Sequence, residues 1–195
     1  MSAFDIAASI ALGIALAAAA GFRVFLPLLV TSVAAYTGHL QLSESFAWLG
    51  SVPAMATLAI ATIAEILAYY IPIVDNLLDT LTTPAALVAG TVLSAAVMTD
   101  LPPIVKWSAA VIAGGGAAGL TQSVTAMLRA KSTAFTGGIG NPVVATAETG
   151  SALVVSGLAI LAPLVAIAAV VLLLWFGARA MRRVLSRPRT RRDAD

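Results

Sequence analysis

The chain has 195 residues, 60% of them hydrophobic and only 10% charged, with a formal net charge of +2 and no cysteine; its mean hydropathy is +0.99. That composition leaves no room for a soluble domain and fits one compact helical membrane domain, because several apolar runs approach the roughly 20 residues that a bilayer crossing needs. Without cysteine there are no disulfides, thiolate metal sites or cysteine nucleophiles, and with His39 as the one imidazole no zinc or haem cofactor is expected.

The first membrane region runs from about Phe4 to Tyr36, interrupted by Gly21 and Pro27 and carrying Arg23. As one straight helix it would extend about 50 Å against a hydrocarbon core of about 30 Å, so it is expected to break or to re-enter. Its opening resembles a secretory signal, with Ala18-Ala19-Ala20 as small residues. However, Asp5 and the lack of Lys or Arg before it are wrong for one, and the apolar character continues through Phe22, Val24, Phe25 and Leu26. The first helix is therefore expected to be retained.

Gly38 to Ser51 reads as an extramembrane loop with Phe46 and Trp48 as interfacial anchors. A second crossing follows from about Val52 to Ile71, with Pro53 in its first turn, Glu65 inside it, and Tyr69-Tyr70 at the opposite headgroup region. Pro72 to Thr83 predicts a short amphipathic helix whose Asp75 and Asp79 sit at i and i+4. A third crossing is expected from Pro84 to about Met98 with Thr83 as N-cap, ended by Thr99-Asp100-Leu101-Pro102-Pro103.

The fourth crossing begins near Ile104 and includes Gly115 and Gly119, a GxxxG face suited to close helix packing and to a dimer contact. Between Leu120 and Thr136 the chain turns polar, with Arg129 and Lys131, before the glycine-rich Gly137-Gly138-Ile139-Gly140. Asn141-Pro142 predicts an N-cap and first turn, starting a helix that carries Glu148, kinks at Pro163 and continues towards Phe176. Arg179, Arg182, Arg183, Arg187, Arg189, Arg191 and Arg192 then place the C-terminus in the cytoplasm, where anionic headgroups attract such a tail by about 1 kcal/mol per basic residue. No aromatic interleaving accompanies these arginines, so nucleic acid is not an expected partner.

Two stretches echo each other. Ala19-Ala20-Gly21-Phe22 precedes Tyr36-Thr37-Gly38, and Ala117-Ala118-Gly119-Leu120 precedes Phe135-Thr136-Gly137, with glycine separations of 17 and 18 residues. Each unit is followed by an apolar helix bearing an acid, Glu65 or Glu148. Paired interrupted helices point to a repeat-built transporter with its site between the halves.

The run Ala20-Gly21-Phe22-Arg23 through Leu26-Pro27, Trp48-Leu49, Glu65 followed by Ile71-Pro72-Ile73-Val74-Asp75 and Asp79, and Asn141-Pro142 with Glu148 resembles the bacterial membrane proteins grouped as domain of unknown function 4126. The resemblance spans most of residues 10–165. It departs at Tyr69-Tyr70, where a charged pair is expected before the proline, and at Thr149, where a second acid is expected. The family implies no activity.

A charge within the bilayer costs at least about 2.5–3.5 kcal/mol, so Arg23, Glu65, Asp75, Asp79 and Glu148 are expected to face a cavity, a partner or a pathway. If the four carboxylates converge they cannot all stay ionised cheaply, which suits a proton pathway, and they would equally accept a hard cation. For Asp75 and Asp79 an exposed interfacial helix is the plainer reading. Arg23 reads as the partner of Glu65 or Glu148, or as a binder of an anionic group together with the amides of Gly137 to Pro142. No nucleophile beside a histidine, no dinucleotide fingerprint and no Walker loop occurs, and an enzyme is not expected.

The expected architecture is an all-α membrane protein with five or six transmembrane or re-entrant helices and an internal repeat with broken helices. Residues 1–178 form the membrane domain, with repeat halves at about 10–83 and 104–178, and 179–195 a cytoplasmic tail. The expected function is a small secondary transporter or channel of a bacterial inner membrane, acting on an ion or small polar solute through Arg23, Glu65, Asp75, Asp79, Asn141 and Glu148. A homodimer is favoured, because about 20 kDa is small for enclosing a pathway alone. The rival is a non-transporting scaffold, accessory subunit or lipid-handling protein in which the same charges form structural pairs.

Overall fold

The computed structural model describes residues 3–99 and 101–185; within these, the side chains at positions 3, 72, 73, 75–77, 79, 80, 177, 178 and 180–185 are not described. The described chain is helical, with no strand. At its centre is α1 (Ala3–Ala20), which packs against most of the later helices. Ala15 to Ala20 are wholly buried, and the small side chains let neighbouring backbones come close. One close approach is at Gly21, where a Cβ would lie 2.5 Å from Thr121 Cβ and 2.9 Å from the Gln122 nitrogen.

The chain breaks at Gly21 to Val24 and resumes as α2 (Phe25–Tyr36). Pro27 falls in the first turn of α2, where its missing N–H costs nothing, so the break lies upstream of it. The expected broken helix is therefore present, and α2, at about 18 Å, is a half-helix too short to cross alone.

The following loop holds a short 3-10 helix (Glu44–Gly50). Trp48 is exposed, but Phe46 is buried against Ala95, Ala96 and Ala110, with its ring 6.2 Å from that of Trp107, and so is a packing residue and not an interfacial anchor. Ser51 then caps α3 (Val52–Ala68) by accepting from the Ala54 N–H at 3.3 Å.

Two expectations are corrected in the remaining helices, at Pro84 and at Pro163. The amphipathic helix and third crossing are one helix, α4 (Pro72–Val97), with Thr83 and Pro84 both inside it. Pro84 removes one backbone bond, a loss that neighbours absorb in packed membrane helices. The polar stretch after Leu120 stays helical: α5 (Pro103–Ala109), a π-helical segment (Ala110–Gly115) and α6 (Gly116–Thr136) form a continuous helix of 34 residues. Its Gly115 and Gly119 are packed within the chain against Thr91 and Leu87 of α4, which uses the GxxxG face internally. Finally, the chain stops at Pro163 instead of kinking. Residue Ala162 is extended (φ −152°, ψ 76°), as the residue before a proline prefers, and separates α7 (Asn141–Leu161) from α8 (Pro163–Leu185).

Helix α6 ends in Gly137 (φ +62°), whose left-handed conformation suits glycine. Gly21 ends a helix, whereas its counterpart Gly119 lies inside α6, so the sequence echo marks a chain break in the first half alone. Among the described residues two helices can cross a membrane by length and composition, Pro103–Thr136 and Asn141–Leu161, or three if the bent pair Glu44–Gly50 and Val52–Ala68 is one span. Four shorter apolar helices accompany them: Phe4–Ala20, Phe25–Tyr36, Leu81–Val97 and Pro163–Phe176.

Candidate functional site

The break after α1 places Arg23 inside the bundle, 1% exposed, where it meets Tyr69 (4%), Arg129 (3%) and Glu148 (4%). Arg23 Nε donates to Thr149 Oγ1 at 3.0 Å and Nη2 donates to the Ala145 carbonyl at 2.8 Å; Nη2 is also 3.5 Å from Glu148 Oε2. Arg129, from α6, donates through Nε to Glu148 Oε1 at 2.9 Å and through Nη2 to Oε2, a bidentate fork. Glu148 is thus shared by two guanidiniums.

Between the two cations lies the Tyr69 ring, with Arg23 3.9 Å and Arg129 3.8 Å from its centroid. The negative faces of an aromatic ring attract cations, by about 0.5–2 kcal/mol each, so the ring separates like charges while binding both. Its hydroxyl donates to Thr82 Oγ1 at 3.3 Å, and Gln122 Nε2 donates to the same oxygen at 3.1 Å.

One helical turn before Tyr69 on α3 stands Glu65, 6% exposed. Its Oε1 accepts from the Val24 N–H at 2.8 Å and its Oε2 from the Phe25 N–H at 3.0 Å. These amides open α2, whose own residues supply no side-chain cap. A helix start in an apolar interior needs acceptors for its free amides, and a carboxylate also complements the positive end of the helix dipole. Glu65 therefore caps a half-helix from a different helix, within the field of Arg23 and Arg129. The two guanidiniums and two carboxylates sum to zero charge, the condition under which such a cluster is tolerated in a low-dielectric core.

Two clefts reach the cluster. One, of about 500 Å³, lies among α2, α3 and α4 and is lined by Val24, Phe25, Glu65, Leu78, Leu81 and Thr82. The other, of about 160 Å³, lies among α6, α7 and α8 and is lined by Phe22, Thr125, Leu128, Glu148, Leu173 and Leu174. Each acid is reached from its own cleft, and the other walls are largely apolar.

Of the residues marked in the sequence, Arg23, Glu65 and Glu148 come together. Asn141 is buried but lies about two turns before Glu148, where its amide donates to Thr133 Oγ1 at 3.0 Å; it is the first residue of α7, and the N-cap position falls to Gly140. Asp75 and Asp79 fall on α4 with side chains outside the described residues. The glycine loop does not form an anion site with Arg23. Arg23 meets α7 further in, at Ala145 and Thr149, and the Gly140 N–H is already bonded to Thr136 Oγ1 at 2.9 Å.

Two members were missed. Tyr69 was expected at the headgroups beside Tyr70; instead it is in the core, while Tyr70 is exposed with its hydroxyl 2.8 Å from Thr146 Oγ1. Arg129 was unassigned, although Thr121, Gln122, Thr125 and Arg129 trace one helical stripe, and all four are buried. A polar stripe at helical spacing on a membrane helix points inward, and that signal was available. Among the described residues no group of three His, Cys, Asp or Glu side chains is placed to hold a metal. His39 is exposed, its Nδ1 2.9 Å from Thr37 Oγ1. The arginines at 187, 189, 191 and 192 and the side chains of Arg182 and Arg183 lie outside the described residues; Arg179 stands 5.3 Å from the Trp175 ring.

An all-helical membrane protein with a neutral buried cluster of charges is thereby defined. The family model described as domain of unknown function (DUF4126) matches residues 10–183, and the chain belongs to that family. No curated protein and no solved structure matches it.

Proposed function

We propose that the protein is a small secondary carrier for an ion or small polar solute, with Arg23, Tyr69, Glu65, Arg129 and Glu148 as its site. The observation that carries this reading is the pair of clefts, each ending on a different buried acid. A purely structural charge pair has no need of two clefts, whereas a carrier must expose its site by two routes in turn. The half-helix α2, with its buried start, supplies the kind of discontinuous segment on which carriers build their sites. The two halves, about 10–83 and 104–178, each contribute one arginine and one acid, Arg23 with Glu65 and Arg129 with Glu148. A bacterial inner membrane, a cytoplasmic Arg-rich tail touching anionic lipid, and a dimer belong to the same proposal.

A scaffold or lipid-handling role is the second reading, favoured by the Arg129–Glu148 fork, which leaves Glu148 fully engaged. Reconstitution separates the two. The carrier reading expects solute or ion flux whose pH dependence disappears in Glu65→Gln and persists in the surface variant His39→Ala. No flux from folded protein under imposed proton, sodium or divalent gradients would favour the scaffold.

A further inference from the structure

We propose that the cleft among α2, α3 and α4 binds, from the bilayer, an uncharged amphiphile of the monoacylglycerol type, with one alkyl chain against its apolar walls and a hydroxylated head at Glu65 and Thr82. The inference concerns binding and does not rest on the carrier reading.

Three observations meet in this cleft. The first is its rim: Phe25 and Leu81, which line it, are 38% and 59% exposed. On a membrane protein an apolar rim faces hydrocarbon, so an occupant arrives from the lipid phase and not from water. The second is room. Ala61, Ala64 and Ala68 form the α3 wall, and their small side chains leave a space of about 500 Å³, within the roughly 300–1,000 Å³ of small-molecule sites. The third is that Glu65 and Thr82, 6% and 7% exposed, are the two polar side chains among the described lining residues. An apolar pocket with a few convergent polar groups is the arrangement that orients a ligand by one end.

The two polar groups are complementary. Each Glu65 oxygen takes one amide bond, from Val24 at 2.8 Å or Phe25 at 3.0 Å, and a carboxylate has about four lone-pair sites, so Glu65 can accept from a further donor. The α2 amides themselves are occupied and offer the ligand nothing. Thr82 Oγ1 accepts from the Tyr69 hydroxyl at 3.3 Å and from Gln122 Nε2 at 3.1 Å, and neither bond uses its own proton. Charge decides against an ionic head. Arg23, Arg129, Glu65 and Glu148 already sum to zero, and a charged head would stand uncompensated in an apolar interior; Asp75 and Asp79 on α4 lie outside the described side chains. A head with several hydroxyls, such as a glycerol, brings a donor for the carboxylate and an acceptor for the threonine in one neutral unit.

The test uses the full chain in detergent with 1-monooleoylglycerol as probe. Methyl oleate, which has the same chain and no hydrogen-bond donor, and oleylamine, which has a cationic head, are controls at equal mole fraction. Monooleoylglycerol should raise the melting temperature of wild type by about 4 °C, and each control by less than about 1 °C. Ala64→Phe, which fills the cleft from a position outside the charge cluster, should abolish the shift. Where that variant does not fold, Ala61→Leu takes its place, and the contrast among the three probes on wild type carries the test by itself. An equal shift from methyl oleate overturns the hydroxylated head, and an equal shift from oleylamine overturns its neutrality. No shift from monooleoylglycerol, or one that survives the filled cleft, overturns the site. Proton flux in liposomes is read separately: flux without monooleoylglycerol binding ends this inference and leaves the carrier reading standing, and binding without flux does the reverse.

Discussion

Glu65 and Glu148 are both buried acids in apolar helices, yet they are held in different ways. Glu148 is clamped by side chains of full opposite charge, Arg129 through a fork and Arg23 beside it. Glu65 is held by two backbone amides of a half-helix and lines the larger cleft. A carboxylate bound to a fixed cation cannot be neutralised without leaving that cation stranded, whereas one bound to amides can be exchanged for another acceptor. The contrast assigns anchoring to α7 and exchange to α3, with Tyr69 joining the two.

The most severe test of the anchoring half is Glu148→Gln, which leaves two arginines facing one acid. Removing one partner of a buried pair costs about 3–5 kcal/mol, and denaturation in detergent should register a loss of that order. Replacing both partners, Arg129→Met with Glu148→Met, leaves Arg23 and Glu65 in balance and should recover most of it. Should the double variant be no more stable than the single one, the fork is not the anchor.

Gly21→Ala tests whether the break positions both acids' partners. Its Cβ would overlap the α6 backbone near Gln122, so a loss of about 1–3 kcal/mol in unfolding free energy is expected. The joint is tested by Tyr69→Leu, which removes the ring from both guanidiniums and should cost about 1–3 kcal/mol, while Tyr69→Phe keeps the ring and gives up the bond to Thr82, about 0.5–1.5 kcal/mol. Glu65→Gln should cost less than Glu148→Gln, about 1–3 kcal/mol, because the amide oxygen still caps one N–H of α2 while the other N–H loses its acceptor and the cluster keeps one positive charge in excess.

The membrane class, the broken first helix and the inward placement of Arg23, Glu65 and Glu148 were legible because a charge in an apolar run has few tolerable destinations. Helix boundaries were less so. Proline was read as the start of a new helix at Pro84, where one helix runs through, and as a kink at Pro163, where the preceding helix ends, since tertiary packing decides which occurs. Tyr69 was lost to the expectation that tyrosine marks the interface, a rule that says nothing of a ring needed between two cations. The use of Gly115 and Gly119 against α4 was equally hidden, because a small-residue face does not reveal whether its neighbour is in the same chain.

The most direct measurement records the melting temperature of wild type and Glu65→Gln and, in liposomes under an imposed inward proton gradient, the internal pH with each protein. Acidification with wild type that is lost in a Glu65→Gln protein that still folds is the expected result. Identical traces from the two proteins, or a Glu65→Gln protein as unstable as Glu148→Gln, would contradict the division between an anchored and an exchangeable acid.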